Sequence, residues 1–158
     1  MDKHWHNDFI FTSKDGVELS LGEIKPKNTC NDAIEEDEIR ALETMKKQLN
    51  MRLKCARTLR ELQTFGVLIK NNQLELSNLE LTPAGEYVFC ILQDLALGTT
   101  SETSLEYDLS LEVFLSFIHL MEQSVVQKEE LELTMIFHEY SHFIKPTVYI
   151  IKTKNDGR

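Results

Sequence analysis

Apolar and polar residues alternate along the first part of the chain. Phe9 and Phe11 lie two positions apart, and the apolar residues that follow Asp15-Gly16 alternate with polar ones up to Leu21. An Asp-Gly pair between two such runs is a strong signal for the tight turn of a hairpin. The pattern therefore predicts a β-hairpin over residues 7 to 24.

From residue 31 onward the apolar residues recur with the spacing of a helix. Asn31 or Asp32 can cap its start, and acidic side chains fill its first turns, which is the favourable charge at a helix N-terminus. The helical spacing continues as far as Leu62. Two interpretations remain open: a pair of helices with a turn near Asn50-Met51, or one long helix across residues 33 to 65.

Gly66 closes this helical pattern, and the short run Val67-Leu68-Ile69 has the composition of a strand. Thr82 can cap a helix and Pro83 suits its first turn, so another helix is predicted from Pro83. Its apolar stripe would consist of Val88, Ile91, Leu92 and Leu95.

A further helix is predicted to begin near Thr103, where Thr103 and Glu106 have the spacing of a capping box. Between residues 111 and 126 this helix is apolar around most of its circumference. A helix of that kind is typical of a central core or a dimer interface.

The middle of the chain contains Leu59, Leu62, Gly66, Val67 and Ile69, followed after a gap by Leu81-Thr82-Pro83-Ala84-Gly85. This order of residues resembles the winged helix-turn-helix of bacterial transcriptional regulators of the MarR and PadR type. Over residues 40 to 97, the resemblance implies a recognition helix ending at Phe65, a β-wing over residues 67 to 82, and a scaffold or dimer helix from Pro83.

The predicted fold class is accordingly α+β and mainly helical, with a winged helix-turn-helix core, an N-terminal β-hairpin and C-terminal helices. The predicted divisions are residues 1–30 for the hairpin and linker, 31–98 for the winged-helix domain, and 99–158 for the C-terminal helices and tail. The resemblance also implies a homodimer, because regulators of the MarR and PadR type usually dimerise through terminal helices.

Charge is strongly segregated along the chain, whose formal net charge is −9. Residues 40 to 70 carry eight Lys and Arg against two Glu, whereas residues 71 to 127 contain no Lys or Arg. On a helical wheel Lys54, Arg57 and Arg60 share one face, as the phosphate-contacting side of a recognition helix requires. The expected DNA-binding residues are Arg52, Lys54, Arg57, Arg60, Lys46 and Lys47.

The leading functional hypothesis is thus a transcriptional regulator that binds double-stranded DNA. An alternative from another class is a winged-helix module that binds a protein and no DNA, with the acidic region of residues 71 to 127 facing a basic partner. The acidic wing separates the two hypotheses, because a wing that enters the minor groove normally carries basic residues.

A third hypothesis is a small zinc hydrolase, because His138-Glu139-Tyr140-Ser141-His142 has the H-E-x-x-H form. On a helix, His138 and His142 would face the same way and could bind one zinc ion. A catalytic zinc needs a third protein ligand, and the only candidate after the motif is Asp156 in the polar tail. His119, or the pair His4 and His6, could serve only if the fold brought them close. The sequence therefore predicts no catalytic residue and no cofactor, and it leaves His138 and His142 as the only metal candidates.

Composition places the chain among ordinary globular proteins of the cytoplasm. No apolar run approaches the roughly 20 residues that a membrane span needs, and the N-terminus lacks the apolar core of a secretory signal. Cys30, Cys55 and Cys90 form no C-x-x-C pair. We expect them to be reduced and packed rather than joined in disulfides.

Overall fold

A computed structural model describes residues 8–26, 28–98, 104–127 and 133–145 of the chain. Its centre is a five-stranded mixed sheet with the strand order β1-β2-β3-β4-β5. The strands are Phe9–Thr12 (β1), Glu18–Ile24 (β2), Gln63–Lys70 (β3), Gln73–Leu81 (β4) and Tyr87–Ala96 (β5). The α-helices in the described residues are Asn31–Leu53 (α1), Ser104–Gln123 (α2) and the single turn Phe137–Tyr140 (α3).

The connections between strands follow from local sequence signals. The predicted N-terminal hairpin is confirmed: β1 and β2 are antiparallel, and Gly16 takes the positive φ of 78° that their turn requires. Helix α1 then carries the chain to β3, which lies parallel to β2. Asn71 and Asn72, with φ of 49° and 64°, form the two-residue turn of the β3–β4 hairpin.

The two long helices lie on opposite faces of the sheet. A Cβ added to Gly66 in β3 would lie 3.1 Å from the sulfur of Met45 in α1. Its neighbour Phe65 packs instead against Phe117 of α2, with ring centroids 5.5 Å apart. Because successive residues of a strand point to opposite faces, the sheet is a layer between α1 and α2.

Each face of the sheet has its own apolar core, and β4 contributes to both. Leu74 and Leu76 belong to the cluster beneath α2, whereas Leu79 and Leu81 belong to the cluster beneath α1. The three-residue step from Leu76 to Leu79 changes the face, since only even steps keep a side chain on the same side of a strand. The strand is therefore buried on both faces.

The segment that contains α3 packs onto the core on the α1 side. The backbone N–H of Ile136 donates to the carbonyl oxygen of Ala56 at 2.9 Å, and the ring of Phe143 lies where a side chain at Gly85 would be. This segment covers the end of the sheet at which β5 begins. None of the helices in the residues described is both long and apolar enough to cross a bilayer.

The predicted mainly helical winged-helix core is wrong, because the mixed sheet replaces it. Helix α1 is a single helix that continues through the predicted turn at Asn50-Met51 and ends at Leu53, so most of the predicted recognition helix up to Phe65 is not α-helical. The next segment turns instead of continuing, since the carboxylate of Glu61 accepts hydrogen bonds from the backbone N–H groups of Arg57 (2.6 Å) and Thr58 (3.0 Å). Residues 59–61 form only one 3-10 turn.

The helix predicted from Pro83 is also wrong, because this segment is β5. The hydroxyl of Thr82 does cap a backbone N–H, but that group belongs to Glu86 in a tight turn (3.2 Å). Gly85 in the same turn has a φ of 81°, which returns the chain along β4. The β-wing expected over residues 67 to 82 is instead formed by the end of β3 and by β4, two inner strands of the sheet. The helix expected near Thr103 is confirmed as α2, while Thr103 itself lies outside the described residues.

Candidate functional site

Strand β5 forms one edge of the sheet and pairs only with β4 among the described strands. Six consecutive residues of β5, from Phe89 to Asp94, are exposed. Exposure of consecutive residues in a strand means that both faces are open to solvent, because neighbours point to opposite sides. The middle of β5 thus lies beyond the cover of both helices.

Sheet width explains why β5 is uncovered. Five strands spaced about 4.8 Å apart span roughly 20 Å, which is about twice the width of one helix. Helix α1 packs on β2, β3 and β4. Helix α2 touches β5 near its end, where the hydroxyl of Ser110 donates to the carbonyl of Ala96 at 3.0 Å, and then crosses toward Phe11 of β1. One helix per face cannot cover the whole sheet.

The exposed edge is largely apolar and has only part of the usual protection of edge strands. Phe89, Ile91 and Leu92 are 39%, 57% and 37% exposed. Natural edge strands are commonly blocked by Lys or Pro, or shortened, so that other chains do not pair with them. β5 contains neither Lys nor Pro over its ten residues, and its one interruption is a register shift opposite Leu76 and Ser77.

A groove of about 250 Å³ runs between α1 and the open part of β5. Leu42 and Met45 form its wall on α1, and Phe89 and Ile91 form its side on β5. Gly66 contributes to the floor, where a Cβ would lie 2.6 Å from the hydroxyl oxygen of Ser77 and close to Met45. The missing side chain lets the groove reach the sheet backbone.

Carboxylates outnumber cations at one end of this groove. The charged residues that line it are Glu23, Glu38, Glu75 and Lys70. The amino group of Lys70 lies 2.7 Å from Glu38 and 3.0 Å from Glu75. Burial alone would lower the pKa of Lys70, but the hydrogen bonds to these two carboxylates outweigh it and raise the pKa above its usual value.

Asp94 of β5 adds a further negative charge beside this end. It lies directly opposite Glu75 in the β4–β5 register, so both side chains stand on the groove face of the sheet. Asp94 is exposed, whereas Glu75 is buried against Lys70. Like charges directly opposite each other destabilise a strand pair.

The predicted DNA-binding residues do not form a helical stripe. Arg52 is buried in α1, where its guanidinium donates to the carbonyls of Gln63 and Ser124. Burial lowers the pKa of Arg52 to about 10, which leaves it charged at neutral pH. Lys54, Arg57 and Arg60 follow the end of α1, in a loop and a 3-10 turn.

The other two basic residues of that prediction lie on separate surfaces. The amino group of Lys46 lies over the ring of Tyr87, 5.1 Å from its centroid. Lys47 lines a different depression of about 490 Å³, together with Val17, Met51 and Cys55. The segregation of charge that motivated the DNA-binding prediction remains, but the recognition helix that would carry these residues is not formed.

The H-E-x-x-H sequence does not lie on a continuous α-helix. His138 falls in the single turn α3, and His142 falls in the 3-10 turn of residues 141–143, with its ring 3.9 Å from that of Phe143. Within the described ranges, no group of three or more His, Cys, Asp or Glu residues could hold a metal ion. All three cysteines are free and exposed, so the expectation of packed thiols is wrong.

Searches against protein-family models, curated proteins and solved structures find no match to this chain. The sequence interpretation missed β5 as the site. Two signals were present: the β-prone run from Tyr87 to Ile91, and Gly85 at a turn just before it. The absence of Lys and Arg from residues 71 to 127 already indicated an acidic surface in this region.

Proposed function

We propose that the chain is a protein-interaction module that binds an extended segment of a partner protein as an additional strand beside β5. The observation that carries this proposal is the run of six exposed residues, Phe89 to Asp94, on a long edge strand without Lys or Pro. Strand addition supplies main-chain hydrogen bonds for affinity and uses pockets for alternate side chains for specificity. The groove beside Phe89 and Ile91 is such a pocket.

The expected affinity is modest. Each main-chain hydrogen bond contributes on the order of 1 kcal/mol net, and burial of apolar side chains adds to this. Ordering of the extended segment offsets part of the gain. A dissociation constant of roughly micromolar magnitude follows, which corresponds to about −8 kcal/mol. The chain is proposed to act in the cytoplasm, where its exposed thiols would stay reduced.

The test uses a phage-displayed pool of random peptides, each ten residues long like β5, selected on the immobilised full chain. We expect enriched peptides to carry apolar residues at alternating positions. Their binding should weaken at least about tenfold in Ile91→Lys, because the new charge lies beside the apolar side chains of the added strand on the same face.

The matched control is Ile10→Lys on β1, the strand at the opposite edge of the sheet. Ile10 is 44% exposed, close to the 57% of Ile91, and the substitution is the same. Binding should be unchanged in this variant. The proposal fails if no alternating sequence is enriched, or if the two lysine variants lose binding equally.

A further inference from the structure

We infer that the partner segment is basic, with a Lys or Arg side chain next to Asp94 and apolar side chains next to Phe89 and Ile91. This inference rests on the proposed strand addition to β5 and specifies the chemistry of the segment that is added.

The groove face of β5 presents an apolar half followed by an acidic end. Phe89 and Ile91 lie opposite Leu79 and Ser77 of β4, on the face toward α1. Asp94 lies on the same face opposite Glu75, because the register shift leaves Leu92 without a partner in β4 and thereby changes the alternation of β5. An added strand places its own side chains beside those of β5, because cross-strand neighbours share a face. The matching segment therefore alternates apolar side chains and ends in a cation.

Among the described residues that line the groove, the cations do not balance the carboxylates at its acidic end. Lys70 is already held between Glu38 and Glu75, at 2.7 and 3.0 Å. Glu23, which also lines the groove, lies 3.1 Å from Lys25, but Lys25 is shared with Asp37 at 2.8 Å. Asp94 is thus an additional carboxylate beside a network in which each lysine already forms ion pairs with two carboxylates.

The repulsion between Asp94 and Glu75 gives a cation a further advantage. These two carboxylates are directly opposite in the register, an arrangement that is unfavourable in a strand pair. A lysine brought beside Asp94 attracts that carboxylate and offsets its repulsion by Glu75. An acidic segment would be repelled both by Asp94 and by the excess of carboxylates over cations at this end of the groove.

A second copy of this chain fits the edge less well than a basic partner. Its net charge is −9, and residues 71 to 127, which include β5, contain no Lys or Arg. Pairing two copies through β5 would bring two acidic surfaces together and place no cation beside Asp94. Charge complementarity therefore favours a basic segment over the β5 strand of a second copy.

The test compares three synthetic peptides of ten residues, the length of β5. In all three, valine occupies the first alternating positions and lysine, glutamine or glutamate occupies the last one, so that the tested residue lies on the same face of the added strand as the valines, and serine fills the positions between. Titrated into the full chain at low salt, the lysine peptide should bind roughly three- to fivefold more tightly than the glutamine peptide for each charge it pairs, and the glutamate peptide should bind most weakly. The advantage of lysine should shrink as salt is raised.

Variants locate the charge effect at one residue. Asp94→Asn should bring binding of the lysine peptide close to that of the glutamine peptide, and Asp94→Lys should make the glutamate peptide the preferred one. Asp15→Asn, which removes the same charge in the β1–β2 turn, is the matched control and should leave the preference unchanged. A preference that persists in Asp94→Asn overturns the inference.

The outcomes separate the inference from the proposed function. If all three peptides bind with equal affinity and all lose binding in Ile91→Lys, strand addition is supported and the inference of a basic partner is overturned. If no peptide binds, both the strand addition and the basic partner are overturned. Both are also overturned if an N-methylated lysine peptide, whose amides cannot donate hydrogen bonds to β5, binds as tightly as the unmethylated one. Self-association of the free chain that Ile91→Lys abolishes would identify a second copy as the occupant and overturn the inference.

Discussion

Asp94 is expected to lower the stability of the free protein and to increase its affinity for the partner segment. Asp94→Asn removes the repulsion with Glu75 across the β4–β5 pair, so it should raise the free energy of unfolding by about 0.2 to 1 kcal/mol. Chemical denaturation of the free chain measures this gain. The same variant should bind the lysine peptide less tightly, and a loss of both stability and binding would contradict this account of Asp94.

Arg52 illustrates a basic residue whose role is structural. Its guanidinium donates to the backbone oxygen of Ser124 at 2.6 Å and to the Ser124 hydroxyl at 3.2 Å, and so joins α1 to the end of α2. Arg52→Met should lower the free energy of unfolding by about 2 to 3 kcal/mol, because buried acceptors lose their donor. Denaturant titration checks the value. Lys54→Met, which changes an exposed neighbour, should stay within about 0.5 kcal/mol of the wild type.

At the scale of elements, Lys70 connects α1 to the sheet through Glu38 and Glu75. Because the folded pKa of Lys70 is raised above the unfolded value of 10.5, its contribution is fully present below pH 10.5 and is lost as pH rises through the folded pKa. Lys70→Met should therefore be less stable than the wild type by about 1 kcal/mol near pH 8. The difference should shrink above pH 10.5.

Thermal unfolding midpoints between about pH 8 and pH 11.5 measure this difference. Lys70→Arg is the control, since a guanidinium keeps its charge over the whole range and the two ion pairs with it. A wild-type advantage over Lys70→Met that stays constant beyond pH 11 would show that packing of the lysine stem, rather than its charge, connects the two elements.

Elements with local signals were predictable from sequence, and those decided by pairing were not. The N-terminal hairpin followed from Asp15-Gly16, and α1 and α2 followed from their apolar spacing and acidic first turns. Val88, Ile91, Leu92 and Leu95 also have helical spacing, but the turn at Gly85 brings them back along β4. In this segment the pairing of β5 with β4 outweighed the helical spacing of the apolar residues. The candidate site was missed for this reason, although its acidic character was visible.

For the whole molecule, the order of the strands decides which backbone groups remain open. The three inner strands β2, β3 and β4 have neighbours on both sides, whereas, among the described strands, β1 and β5 each have a neighbour on one side only. Closing the open edge at β5 requires a strand from outside the described part of the chain. The binding proposal thus concerns an incomplete sheet rather than a preformed cavity.

Amide hydrogen exchange of the full chain tests this view directly. In the free protein, amides of β3 and β4 should exchange slowest, and alternate amides between Phe89 and Asp94 should exchange fast because they point away from β4. Addition of the lysine peptide should slow exchange at those alternate β5 positions. The edge strand β1 provides the internal control and should not change. Protection that appears equally at both edges would indicate general stabilisation of the fold, and protection confined to α2 would place the partner on another surface.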